Sequence, residues 1–198
     1  MTRIITFLFL SITISAVWAE DIIDVFGIAK CPDTTKFVRN QLIPFYEKYN
    51  SMFSKDFKID FHSVPIGGDT VDGKYRNKCL HGTTECDLNK MQMCSKKYIE
   101  KDWMVVAGCI QGRRNYTTGL QCLPDTVEGE KVKNCTETED GEHLLNEENS
   151  YRFNVAPESS WLPWIQVNGK HSPHAEQNLI EVVCQLTSMK DSEICKRT

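Results

Sequence analysis

The chain has 198 residues, 25% of them charged and 40% hydrophobic, with 23 Lys+Arg against 27 Asp+Glu and a formal net charge of −4. That length supports one sizeable core and leaves little room for two independent ones, and the mildly acidic balance argues against a nucleic-acid partner. The nine cysteines point to an oxidising compartment.

The amino terminus gives a route to that compartment. Arg3 supplies a positive start, Ile4 to Ile14 form a mostly apolar run, and Val17-Trp18-Ala19 offers small residues for cleavage before Glu20. This is the pattern of a secretory signal peptide over residues 1–19. The run is too short to span a bilayer as a helix, and no later stretch approaches the ~20 apolar residues required. The expected product is therefore a soluble single domain over residues 20–198 with no membrane partner, destined for the lysosome or for secretion.

Ile22-Ile23-Asp24-Val25-Phe26-Gly27-Ile28 is β-branched and apolar and reads as a buried strand that ends just before Lys30-Cys31-Pro32. A helix start follows, with Cys31 at the N-cap, Pro32 at the first helical position and Asp33 in the first turn. Val38, Leu42, Phe45 and Tyr49 give that helix an apolar face, and Pro44 is expected to kink it. Phe57, Ile59 and Phe61 alternate with Lys58, Asp60 and His62, the period of a strand with one face in the core. Pro65-Ile66-Gly67-Gly68 closes this β-α-β unit.

From about residue 69 to 155 no comparable alternation is read. This segment holds six of the nine cysteines and two sequons, Asn115-Tyr116-Thr117 and Asn134-Cys135-Thr136, both candidate glycosylation sites. It is taken as an insertion, partly helical around Cys86 to Trp103. Its acidic run from Glu137 to Glu142, and again Glu147-Glu148, reads as solvated loop. Beyond it, Trp164-Ile165-Gln166-Val167 forms a short strand and Asn168-Gly169 a hairpin turn. Ser172-Pro173 is expected to cap one final helix, with Leu179, Val182, Val183 and Leu186 as its apolar stripe. Strand, helix, strand, insertion, strand pair and helix is an α/β, thioredoxin-like layout with a disulfide-rich, partly helical insertion.

Nine cysteines leave one unpaired. Cys31 stands apart in sequence, whereas Cys79, Cys86, Cys94, Cys109, Cys122, Cys135, Cys184 and Cys195 make a plausible set for four structural bridges of open connectivity. A zinc site on Cys79, His81, Cys86 and Cys94 is the rival reading, but paired C-x-x-C knuckles are missing and secretion favours disulfides, so no metal is expected.

The segment Cys79-Leu80-His81-Gly82-Thr83-Thr84-Glu85-Cys86-Asp87-Leu88-Asn89-Lys90-Met91-Gln92-Met93-Cys94 resembles the signature C-Q-H-G-x2-E-C-x2-N-x4-C of the gamma-interferon-inducible lysosomal thiol reductases, departing only at Leu80. Val64-Pro65, Pro163-Trp164 and Cys184-Gln185-Leu186 extend the resemblance along the chain. It implies a thioredoxin-like thiol–disulfide oxidoreductase acting on disulfide-containing protein clients, with a C-x-x-C pair at the amino end of the first helix. Here that motif is Cys31-Pro32-Asp33-Thr34, so Thr34 replaces the second cysteine.

A lone Cys31 retains the attacking half of thiol–disulfide exchange, whereas release of the client then needs an external thiol such as cysteine or glutathione; no bound cofactor is implied. The helix N-terminus favours a thiolate at Cys31, and Thr34 is expected to donate a hydrogen bond to the sulfur, with Asp33 opposing. An ordinary thiol of pKa ~8.5 is almost wholly protonated near pH 5, so this local stabilisation matters in an acidic compartment. Leu162-Pro163 is the expected cis-proline element that meets an extended client, and Trp161 and Trp164 read as either rim or core. His81 and Glu85 read chiefly as holding their own turn, and Cys79, Cys86 and Cys94 as tying the insertion to three different points. A non-catalytic binder and a monothiol isomerase remain the alternative functions.

Overall fold

The computed structural model describes residues 20–196; the signal peptide expected at residues 1–19 lies outside the described residues. In chain order the elements are β1 (Asp21–Gly27), α1 (Pro32–Phe37), a π-helical turn (Val38–Leu42), α2 (Ile43–Tyr49), a short 3-10 turn (Asn50–Met52), β2 (Phe57–Ser63), β3 (Gly67–Val71) and β4 (Lys74–Lys78). There follow α3 (Thr83–Tyr98), α4 (Trp103–Ile110), α5 (Tyr116–Leu120), α6 (Val127–Glu137), α7 (Glu139–Val155), β5 (Trp164–Val167), β6 (Lys170–His171), α8 (Pro173–Gln177) and α9 (Leu179–Val183).

The main sheet runs β2-β1-β5-β6. Strands β1 and β2 are parallel, from Asp21 opposite Phe57 to Gly27 opposite Ser63, while β5 and β6 are antiparallel additions. One face of the sheet is the main core: Ile23, Val25, Phe57, Ile59, Phe61 and Ile165 meet Phe37, Val38, Leu42 and Phe45 of the first helix and Leu179, Val182 and Val183 near the carboxyl end. Each such side chain contributes about 1.5–3 kcal/mol by leaving water.

The apolar half of the β2 alternation faces this core, and of its polar half only Lys58 faces solvent. Asp60 and His62 are buried as well, because α3 and α7 cover that face and bring Lys96 and Glu148 to meet them. His62 Nε2 lies 3.0 Å from Asp24 Oδ1 and its Nδ1 2.5 Å from Glu148 Oε2, with Phe26 stacked on the ring. Burial opposes the charge on His62, yet hydrogen bonds to Asp24 and Glu148 prevail and raise its pKa above the ordinary histidine value. Burial likewise opposes ionisation of Asp60, and the Lys96 ammonium prevails to lower its pKa.

The first helix runs on through Pro44, which follows a widened turn in which Ile43 N–H reaches Val38 O. Three expectations need correcting. The segment after β2 begins with a two-stranded hairpin, β3-β4, turned by Asp72-Gly73 at φ 50° and 75°. Asp-Gly is a strong turn signal of the kind that tolerates positive φ at both positions. The acidic run is helix rather than loop, belonging to the end of α6 and the start of α7. Its carboxylates are engaged: Arg76 grips Glu139 with two hydrogen bonds of 2.7 Å, which hold that carboxyl at about pKa 2, and Glu142 accepts from the Asn77 N–H and from Lys90. Finally, the carboxyl-terminal helix is two short ones, since Asn178 interrupts it and caps α9 by accepting from Glu181 N–H, while the Ser172 side chain caps nothing.

The eight later cysteines form Cys79–Cys86, Cys94–Cys135, Cys109–Cys122 and Cys184–Cys195. Cys79 and Cys86 therefore bridge each other instead of reaching separate points. Cys94 alone of the three reaches a distant element, tying α3 to α6 over 41 residues. With these sulfurs oxidised, none of Cys79, Cys86 and Cys94 offers a thiolate to zinc. Asn134 is exposed on α6, and Asn115 is half-buried at the start of α5, where its side chain accepts from Thr118 N–H. No described helix is long and apolar enough to cross a membrane.

Candidate active site

Cys31 is the free cysteine among the described residues, and it is half-buried. Strand β1 delivers it: the ladder ends at Gly27, Ile28-Ala29-Lys30 make a turn, and the helix begins at Pro32, whose ring is preset for a first helical position. Cys31 takes the N-cap with extended backbone (φ −68°, ψ 125°), and its Sγ accepts from Thr34 N–H at 3.5 Å. The same sulfur donates to the Leu162 carbonyl at 3.5 Å. The Leu162-Pro163 bond is cis, with Pro163 buried and Leu162 half-buried. The structure thus brings Cys31, Thr34, Leu162 and Pro163 together.

Thr34 donates to the sulfur as expected, and it does so through its main-chain N–H. The side chain is fully buried, its hydroxyl has no hydrogen-bond partner, and its methyl group lies over Gly27. Gly27 is required there by close approach, since a Cβ would stand 2.5 Å from Thr34 Cγ2.

The two tryptophans divide between the two readings. Trp164 is core, 3% exposed and stacked on His171, whereas Trp161 is 50% exposed and forms a rim beside Leu162, its indole N–H donating to Glu176. An open cleft of about 220 Å³ adjoins the site, lined by Asp33, Lys36, Asn40, Pro163, Glu176 and Gln177.

A second set of residues reaches the site from the signature segment. Glu85 and Asn89, both fully buried, lie one turn apart on α3 and meet the main chain just before Cys31. Gln111, which no motif singled out, sits at the end of α4 and donates to the Ile28 and Ala29 carbonyls at 2.9 and 3.1 Å. Its only sequence signal is that it is a polar residue closing an apolar helix. The Cys79–Cys86 bridge touches this cluster, since Cys79 Sγ accepts from the Asn89 amide at 3.7 Å; the other bridged cysteines, Asn115 and Asn134 are not part of it.

Comparison with known proteins agrees with this geometry. The profile of the family described as "Gamma interferon inducible lysosomal thiol reductase (GILT)" matches residues 22–126. A GILT-like protein of Caenorhabditis elegans is 30% identical over 168 residues, covering 80% of this chain and 76% of its own. A gamma-interferon-inducible lysosomal thiol reductase of Carassius auratus is 28% identical over 178 residues, covering 83% of this chain and 68% of its own. Among solved structures, Chlamydia trachomatis DsbA superposes with a TM-score of 0.58 at 13% identity, covering 95% of this chain and 98% of its own. Oxidised Mtb DsbA superposes with a TM-score of 0.59 at 9% identity, covering 90% of this chain and 87% of its own. These likenesses establish the thioredoxin-like α/β fold.

Proposed function

Because the chain belongs to the gamma-interferon-inducible lysosomal thiol reductase family, we propose that it is a thiol–disulfide oxidoreductase whose single nucleophile is Cys31. The carrying observation is one free thiol at a helix N-cap, 3.5 Å from the carbonyl that precedes a cis-proline, while the other eight cysteines are bridged. The Cys31 thiolate attacks one sulfur of a client disulfide; a new S–S bond forms and the client's other sulfur leaves as a thiolate. Thr34 cannot open this mixed disulfide. An external thiol such as cysteine or glutathione attacks Cys31 Sγ, the client sulfur leaves, and a second external thiol regenerates Cys31 as the small disulfide departs. Leu162 offers backbone groups to the client, Pro163 shapes the groove, and the reducing equivalents come from solution rather than from a bound cofactor.

Disulfide-containing proteins in a lysosomal or extracellular space are the clients of this reading. Family membership and four bridges support passage through the secretory pathway. The test is reduction of a disulfide protein with excess small thiol, beside alkylation of the native chain with the labelled residue located by mass spectrometry. Cys31 should label alone, and Cys31→Ser should lower reduction to the rate of the small thiol. Full activity of Cys31→Ser, or labelling elsewhere, sinks the assignment. A client that binds without being reduced would favour the binding-protein alternative, to which the buried Thr34 lends support because it leaves the first helical turn without a resolving thiol.

A further inference from the structure

The four residues between β1 and α1 have no ladder or helix to satisfy their main chain, and buried backbone groups must find partners elsewhere. Cys31 N–H bonds locally to Ile28 O at 3.2 Å. The two N–H groups before it are taken by side chains of α3: Ala29 donates to Asn89 Oδ1 at 2.8 Å and Lys30 to Glu85 Oε2 at 3.2 Å. Spacing of four residues sets Glu85 and Asn89 on one helix face, so one rigid element grips two consecutive peptide groups. Glu85 is itself fixed, with His81 N–H on Oε1 at 3.2 Å and His81 Nδ1 on Oε2 at 2.5 Å. Asn89 donates its amide to Val64 O at 3.1 Å, in the turn beyond β2. The Cys79–Cys86 bridge closes the chain around His81 and Glu85.

We infer that Glu85 and Asn89 are positioning residues for Cys31, and that His81 and the Cys79–Cys86 bridge hold them in place. Through the Lys30 and Ala29 N–H groups they fix where Sγ stands relative to the Leu162 carbonyl and Pro163, and hence the line of attack on a disulfide lying in that groove. The inference rests on Cys31 being the nucleophile. It gives the signature segment a task in the reaction as well as in its own turn. Placement of this kind is costly to lose, since a shift of about 1 Å in a reacting group can lower rates by about 10²-fold.

The experiment measures single-turnover formation of the Cys31 mixed disulfide with an extended peptide disulfide. In parallel it measures alkylation of Cys31 by iodoacetamide, for the native chain and for Glu85→Ala, Glu85→Gln and His81→Ala. Thermal melting and disulfide mapping establish folding of each variant. In folded Glu85→Ala the peptide rate should fall about tenfold to a hundredfold, while alkylation, which needs no groove, changes less than about threefold. Glu85→Gln, which keeps an acceptor oxygen, should recover most of the peptide rate. His81→Ala, at a half-exposed position, should lose about two- to fivefold, a partial effect on the same scale. If Glu85→Ala does not fold, Glu85→Gln and His81→Ala decide: native peptide rates in both, or peptide and alkylation rates falling together, overturn positioning. A native chain whose Cys31 reacts with neither reagent removes the nucleophile reading and this inference with it.

Discussion

Thr34 is where the chain departs from a dithiol site, and its surroundings say what restoring the cysteine would do. The side chain is sealed beneath the first helical turn with its methyl on Gly27, so Thr34→Cys exchanges a buried hydroxyl that has no partner for a thiol and removes that methyl. Leaving such a hydroxyl unsatisfied costs about 1–3 kcal/mol, against about 1 kcal/mol for the lost methyl, and the substitution should be neutral or slightly stabilising. It should also supply a resolving thiol. On non-reducing gels the share of client trapped on Thr34→Cys should fall several-fold below that of the native chain at limiting external thiol, and equal trapping would show that residue 34 cannot reach the mixed disulfide. Much of this was legible at the residue scale, because a lone cysteine followed by proline states its own local structure. The donation from Thr34 to the sulfur was legible too, but the burial of its side chain with an unpartnered hydroxyl was not, since the type of a side chain says little about which of its atoms will face a neighbour.

Among elements, the face of the sheet covered by α3 and α7 carries the pH dependence. His62 gains two carboxylate partners on folding and its pKa is raised, so the stability it contributes is fully present below the unfolded value of about 6.5 and is lost as pH climbs through the folded one. Asp60 has the opposite sign: its lowered pKa stabilises the fold above the unfolded carboxylate value and fails as pH falls through the folded one. Between those limits the cluster favours a mildly acidic medium. Melting temperature should decline from about pH 6 to pH 8 in the native chain, and His62→Gln should flatten that slope; an unchanged slope would place the dependence elsewhere. The β2 alternation was readable as a strand with one face in the core, but the burial of Asp60 and His62 on the other face was not, because one strand's period cannot reveal a distant helix that will cover it. The β3-β4 hairpin was readable too, in Asp72-Gly73, and was obscured by the absence of flanking apolar alternation: its residues are mostly exposed or half-buried.

At the scale of the whole molecule, the parallel β1-β2 pair, the antiparallel β5-β6 edge and the helical segment between them follow the order in which the sequence presents its strong patterns. Cysteine pairing was beyond that order. Residues 7 apart joined and residues 41 apart joined, with spatial approach of α3 and α6 deciding the second. The free thiol and the four bridges also share one solvent, and the bridges are not equally sheltered. Cys94 and Cys135 are 0% and 1% exposed; both ends of Cys109–Cys122 and Cys184–Cys195 are half-buried, and in the bridge that closes around His81 and Glu85 Cys86 is 6% exposed while Cys79 is half-buried. On the proposed mechanism, the small thiol that regenerates Cys31 also has access to the Cys79 end of the Cys79–Cys86 clasp. Turnover plotted against thiol concentration should rise, peak and decline, with the decline appearing together with alkylation of Cys79 or Cys86; a plain saturation curve with both residues unlabelled would refute this. On the proposed mechanism the chain draws its electrons from its surroundings while being stapled by the bonds those electrons break, so it has a ceiling on its own fuel, and an over-reducing environment would switch it off.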